Sequence, residues 1–234
     1  MKRADGFNII ELTLVLVIVA GLGFLAGGAF RQMQMHRAQA LGVHNCQQII
    51  FALKQFANDH QGRYPDSEVD PQSGRIPQTA NEDFRQLIEL RIVKDEHIFG
   101  CPNGFNPDGN LGSPPSFNEA LQTAENHWAM TAGQTESSAQ DMPLVFENPR
   151  IYDWPPQWNA DIHGEGVGRT WPKARIIIGR NDGSVTVEKL SGKKGMVSPT
   201  QDSRGMDCFT RASLGVPQRV LPVIPTLINP LLGT

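Results

Sequence analysis

Hydrophobic positions change their spacing along the chain, and the changes divide it into stretches. Residues 7–30 are almost continuously apolar, with Glu11 as the sole ionisable side chain among them. Beyond Phe30 the pattern becomes periodic. Val43, Cys46, Ile50, Leu53 and Ala57 recur at three and four residues, with Ile49 and Phe56 alongside, opposite a polar face of Gln47, Gln48, Lys54, Gln55 and Asp59. That spacing predicts one apolar stripe on an amphipathic helix. Gly62 suits a helix C-cap and Pro65 blocks continuation, so the helix is expected to stop near residue 60. All 17 prolines lie at Pro65 or later. Because proline inside a helix costs about 3 kcal/mol, this partition points to one long helix followed by a loop-rich body.

In the body, residues 66–80 read as loop and residues 81–93 as a short helix capped by Asn81, with Phe84, Leu87 and Ile88 on its apolar side. Residues 104–116 read as loop, and 117–130 as helix or irregular chain. Residues 143–148 read as a strand. The clearest local pattern is 174–190, where Ile176, Ile177 and Ile178 lead into Asp182-Gly183 and Val185 and Val187 then alternate with polar residues; this is a hairpin signature. The predicted class is α+β, a long N-terminal α-helix with a membrane-spanning first half, packed on a C-terminal antiparallel β-sheet with long loops. From Leu221 onward, Pro222, Pro225 and Pro230 exclude a second membrane helix.

Charge narrows the functional classes. A net charge of −3 offers no basic field for a polyanion, so no nucleic-acid partner is expected. The apolar run 7–30 amounts to roughly 36 Å of helix, enough for a hydrocarbon core of roughly 30 Å. The leader 1–6 carries Lys2 and Arg3, although Arg31 and Arg37 blur the charge asymmetry. The run is longer than a secretory signal core, which leaves a single-pass anchor as the plain reading. Glu11 breaks that reading, since an acid in an apolar span is a functional candidate; the alternative is that it complements the helix dipole and snorkels.

Gly6-Phe7-Asn8-Ile9-Ile10-Glu11-Leu12 followed by apolar chain resembles the class III signal of type IV prepilins and type II secretion pseudopilins. The run 45–65, ending in Ala57-Asn58-Asp59 and then Gly62 and Tyr64-Pro65, and the Cys101-Pro102 and Asp182-Gly183 segments are similar to a large pilin-like group. The resemblance implies cleavage between Gly6 and Phe7 by a prepilin peptidase, N-methylation of Phe7, and pairing of Glu11 with a neighbour's new amine during assembly. It implies a structural subunit of a type IV pilus or secretion filament, placed in the inner membrane with its N-terminus cytoplasmic and its body periplasmic, then in an extracytoplasmic filament. The implied partners are copies of itself and other pilin-like subunits, the peptidase, an inner-membrane assembly platform and membrane lipid. The implied organisation is leader 1–6, filament-core helix 7–30, amphipathic helix 31–60, body 61–220 and tail 221–234.

No catalytic constellation, and no cofactor, is expected. Asn106, Asp108 and Asn110 begin like a calcium loop, but Phe117 stands where a bidentate Glu is needed. His163 has no second ligand at metal-binding spacing, and neither a nucleophile elbow nor a phosphate loop occurs. Outside the membrane the three cysteines allow one disulfide with one thiol left over. Cys46 falls on the apolar stripe, which favours Cys101 with Cys208 among the three pairings. The rival function is a membrane-anchored binding protein that captures a glycan through Trp154, Trp158 and Trp171; those aromatics equally suit loop cores.

Overall fold

Helix α1 (Ile9–Asp59) opens the computed structural model, which describes residues 9–102, 104–164 and 166–223 and, within α1, leaves the side chains of 22–27 and 29 outside the description. The chain divides into two units, residues 1–40 and residues 41–234.

In the first unit every large apolar side chain from Ile9 to Val19 is between 44% and 77% exposed. The sequence predicts a membrane-spanning first half of this helix, and that expectation is corrected. Among the described residues no helix is long and apolar enough to cross a membrane. The apolar stretch with described side chains, 9–21, amounts to about 20 Å of helix, against roughly 30 Å of hydrocarbon. The single-pass placement in an inner membrane, with lipid as its surroundings, loses its basis with that segment, as does the pilin-like architecture built on it. Gly6 and Phe7, the expected cleavage and methylation site, lie outside the described residues.

The second unit is a mixed α+β fold. Its part of α1 buries the predicted stripe: Cys46, Ile49, Ile50, Leu53, Phe56 and Ala57 are all at most 1% exposed. Gly62 ends the helix with φ of +80° and donates its N–H back to the Ala57 carbonyl at 2.8 Å, a closure that needs the left-handed region. Helix α2 (Ala80–Glu89) starts one residue earlier than the sequence suggests. Thr79, not Asn81, is its cap, in a reciprocal capping box with Glu82. The Asn81 amide is instead buried and donates to the Leu121 carbonyl at 2.6 Å.

Among the described residues seven strands follow, with one short helix before the seventh: β1 (Trp128–Thr131), β2 (Pro143–Glu147), β3 (Trp158–Asn159), β4 (Arg175–Arg180), β5 (Val185–Lys189), β6 (Met196–Val197), α3 (Cys208–Ala212) and β7 (Val220–Leu221). The main sheet is antiparallel in the order β5-β4-β2-β1-β7, and β3 pairs with β6 apart from it. The β4–β5 hairpin turns at Asp182-Gly183, where Asp182 accepts the Ser184 N–H at 2.8 Å.

Side chains alternate across a strand, and here the alternation separates two cores. Phe146, Ile176 and Ile178 face Trp158, Cys208 and Phe209. Ile177 and Gly179 face α1: a Cβ on Gly179 would meet Ile50 Cδ1 and come within 2.7 Å of Cys46 Sγ, and a Cβ on Gly42 would come within 2.8 Å of Ile177 Cδ1 and 2.9 Å of Cys101 Sγ. Two absent side chains thus set how closely α1 approaches the sheet. The same division corrects the expected disulfide. Cys101 belongs to the α1 side and Cys208 to the opposite core, and both are buried free thiols, as is Cys46.

Replacing Gly179 by Ala is therefore expected to destabilise the protein by about 1 to 3 kcal/mol through overpacking. Urea unfolding followed by circular dichroism measures this, and an unchanged midpoint would contradict the close approach.

Candidate functional site

A buried polar cluster is assembled from residues far apart in sequence. Glu147 ends β2 on the α1 side, at 0% exposure. Its Oε1 accepts from Arg169 NH2 at 2.9 Å, Trp171 Nε1 at 2.9 Å and His127 Nε2 at 3.1 Å. Its Oε2 accepts the Ile177 backbone N–H at 2.9 Å. Burial alone would raise the Glu147 carboxyl, but Arg169, His127 and that N–H outweigh it and hold the group below the usual carboxylate range. Burial, with Arg169 beside it, lowers His127 and keeps the imidazole neutral. Arg169 also stacks over Trp171, with its guanidinium carbon 4.4 Å from the ring centre.

Cys101, His127 and Glu147 present ligand atoms within 4.8 Å of one another, so metal binding has to be weighed. The position between them is already cationic. Arg169 NH2 lies 3.1 Å from Cys101 Sγ and 3.3 Å from His127 Nε2 as well as against Glu147. A metal also requires the thiolate, whereas burial and the neighbouring Glu147 charge push the Cys101 thiol far up. The donor set therefore fits a guanidinium better than a metal ion. Gly104 closes the cluster: a Cβ there would come 2.6 Å from His127 Nδ1 and 3.1 Å from Arg169 Nε.

A second buried acid lies on α2. Asp83 is 0% exposed with neither carboxylate oxygen hydrogen-bonded. Burial first, and then the charge of Asp66, raise it well above an ordinary Asp. Asp66 accepts the Gly133 N–H at 2.6 Å. Nearby, a cavity of about 230 Å³ holds Asp70 and Glu89. Burial and Asp70 bring Glu89 up to about 7, while Asp70 already accepts the Gln72 and Ser73 N–H groups.

A further concavity is of another kind. A groove of about 740 Å³ runs beside α1 and the 92–98 segment; Ile50, Phe51, Ile92, Val93 and Ile98 line it, with Lys54 and Lys94 on its margin. Phe51 is 71% exposed there. Single aromatics on a surface are ordinary; this one lines the groove together with Ile92 and Ile98.

Of the residues singled out from sequence, Cys101 and Trp171 fall in the Glu147 cluster, and the others lie elsewhere. Glu11 lies in the first turn of α1. Trp158 and Trp171 are at most 2% exposed and donate their indole N–H groups to Glu147, and Trp154 stacks edge-on against Phe209. The rival reading of these aromatics as a glycan site is thus set aside for core packing, the other reading their sequence allowed. Asp108 and Asn110 turn onto the loop's own N–H groups. His163 is hydrogen-bonded through Nδ1 to the Thr170 carbonyl and hydroxyl, both at 3.1 Å.

Comparison with known protein families, with curated proteins and with solved structures finds no match to this chain. The resemblance to type IV pilins and type II secretion pseudopilins is accordingly corrected. With no matching family and no membrane-crossing helix among the described residues, the assignment as a pilus or secretion-filament subunit falls.

Two expectations follow. Glu147→Gln or Arg169→Met should each cost about 3 to 5 kcal/mol by leaving a buried partner uncompensated, and the double variant less than their sum; denaturant midpoints of the four proteins decide it. Asp83 keeps its proton in the fold but loses it near pH 4 when unfolded, so its contribution worsens as pH rises from about 4 toward its folded value. Asp83→Asn should raise the melting temperature at pH 7 and leave it little changed at pH 4, and an equal change at both would contradict the assigned protonation.

Proposed function

We propose that this chain is a non-catalytic interaction protein whose groove beside Phe51 receives the apolar face of a partner helix. The observation that carries the reading is Phe51, a large aromatic 71% exposed over a groove of about 740 Å³ with an apolar lining. Helix-in-groove recognition uses such a surface and is read through partner anchors at i, i+3, i+4 and i+7.

The groove's margin is of mixed charge. Lys94 is exposed, and Lys54 lies near enough to Asp182 to help lower its carboxyl. Asp95, also on the margin, is engaged by the His97 imidazole and backbone N–H at 2.6 and 3.0 Å. Two cations and two carboxylates thus offset one another there, and apolar contact is what selects the ligand. The absence of catalysis is part of the proposal and draws support from the Glu147 cluster, whose five members are all at most 2% exposed and so closed to a substrate.

A hydrocarbon-stapled helical peptide of about 15 residues, with Leu at i, i+3, i+4 and i+7, is expected to bind the full chain. Phe51→Ala should weaken binding about tenfold, the loss of one central anchor, whereas Leu214→Ala, exposed elsewhere, should not. Isothermal titration calorimetry reads both; binding indifferent to Phe51 overturns the proposal.

A further inference from the structure

Two acids meet where a loop crosses α2. Asp70 belongs to the loop of residues 68–79, Glu89 ends α2, and both line the cavity of about 230 Å³. Their carboxyl groups are hydrogen-bonded to each other. An ionised carboxylate only accepts, so this bond exists only while one of the two carries a proton. We propose that the shared proton is a latch: it pins the 70–75 loop to α2, and its loss as pH rises frees the loop and uncovers the cavity.

The loop is built to move as one piece. Asp70 accepts the Gln72 and Ser73 N–H groups, each at 3.0 Å. Its carbonyl accepts the Gly74 N–H at 2.8 Å, and its own N–H donates to the Arg75 carbonyl at 2.9 Å. These bonds close the turn on itself, and none of them reaches α2. Residues 71–76 are exposed. Arg75 does approach Glu82 of α2, at 3.7 Å, but an ion pair between exposed groups is a weak tether in water.

Among the described residues, the other charged groups lining the cavity are Arg75 on the loop and Glu82 and Arg85 on α2, while the 116–118 segment adds the uncharged Ser116 and Asn118. Neither cation replaces the proton. Arg75 turns to Glu82, and the Arg85 guanidinium is bound to the Ala120 carbonyl at 2.8 and 3.1 Å. Partial burial pulls Asp70 upward, but the Ser73 and Gln72 bonds outweigh it and hold Asp70 below the usual carboxylate range. The proton therefore belongs to Glu89, which burial and then Asp70 bring from 4.5 up to about 7. In the open form Glu89 returns to its ordinary value. Opening thus releases a proton between those two values and grows about tenfold per pH unit across that window. Above it both forms are ionised, and the gain levels off.

A nitroxide on Gln72→Cys of the full chain reads the loop's mobility by electron paramagnetic resonance, since Cys46, Cys101 and Cys208 are all buried. From about pH 5 to about pH 7 the ratio of mobile to restrained signal is expected to rise about tenfold per unit, and to change little from there to about pH 8. Glu89→Gln, whose amide donates to Asp70 at every pH, should keep the loop restrained throughout. Glu89→Ala should leave it mobile throughout. Circular dichroism checks that each variant is folded. A wild-type spectrum indifferent to pH overturns the inference, as does the same pH response in Glu89→Gln or a restrained loop in Glu89→Ala. Carbon NMR of the Glu89 carboxyl gives a separate check, and a midpoint in the ordinary glutamate range overturns it as well.

Discussion

A carboxylate held at 0% exposure sets the terms for the sheet and for everything packed on its α1 side. Glu147 cannot call on water, so its oxygens must be met by donors from the protein, and the chain delivers them from a loop, a strand edge and two side chains beyond β3. Arg169 supplies the countercharge, Trp171 and His127 supply neutral donors, and the Ile177 N–H couples the carboxylate to β4. The backbone carbonyl of Glu147 takes the Trp158 indole N–H at 3.0 Å, so one residue tethers both sides of the sheet. A pair of this kind gains specificity of arrangement more readily than net stability, and it acts beside the β3–β6 pairing and the Asn159–Gly168 and Gly168–Asn148 backbone bonds, which also fix the long chain between β2 and β4.

The sheet then divides apolar material into two cores of different character. Aromatic edge-to-face contacts among Phe146, Phe209 and Trp154 organise the side away from α1. On the α1 side, the glycines at 42 and 179 bring helix and strand close enough to seal Cys46 and Cys101. Beyond that seal the helix turns Phe51 outward, which makes the groove a by-product of where the stripe ends and the polar face begins.

Much of the local structure was legible in advance. The stripe from Val43 to Ala57, the stop at Gly62, the strand at 143 and the hairpin through Asp182-Gly183 each follow from periodicity or turn chemistry acting over a few residues. Thr79 displaced Asn81 as the α2 cap because Glu82 completes a box only with Thr79. Reading the tryptophans as a ligand platform failed for a comparable reason: a proline-rich excursion in sequence is a wall of the core in space. The apolar segment before Gly21 was legible as apolar, but its length and the chain's lack of matching relatives do not sustain the membrane and filament roles inferred from its resemblance.

What the sequence by itself determined were the features governed by neighbours within about one helical turn or one β-turn: element type, stop signals, and which side of an amphipathic helix is buried. Tertiary structure alone decided the cluster around Glu147, because Cys101, His127, Arg169 and Trp171 share no spacing that announces them. It also decided that Cys101 and Cys208 stay apart, since strand alternation sends their surroundings to opposite faces. Short-range patterns follow from local sterics and periodicity, whereas a buried charge finds its partners only when distant segments exclude water together.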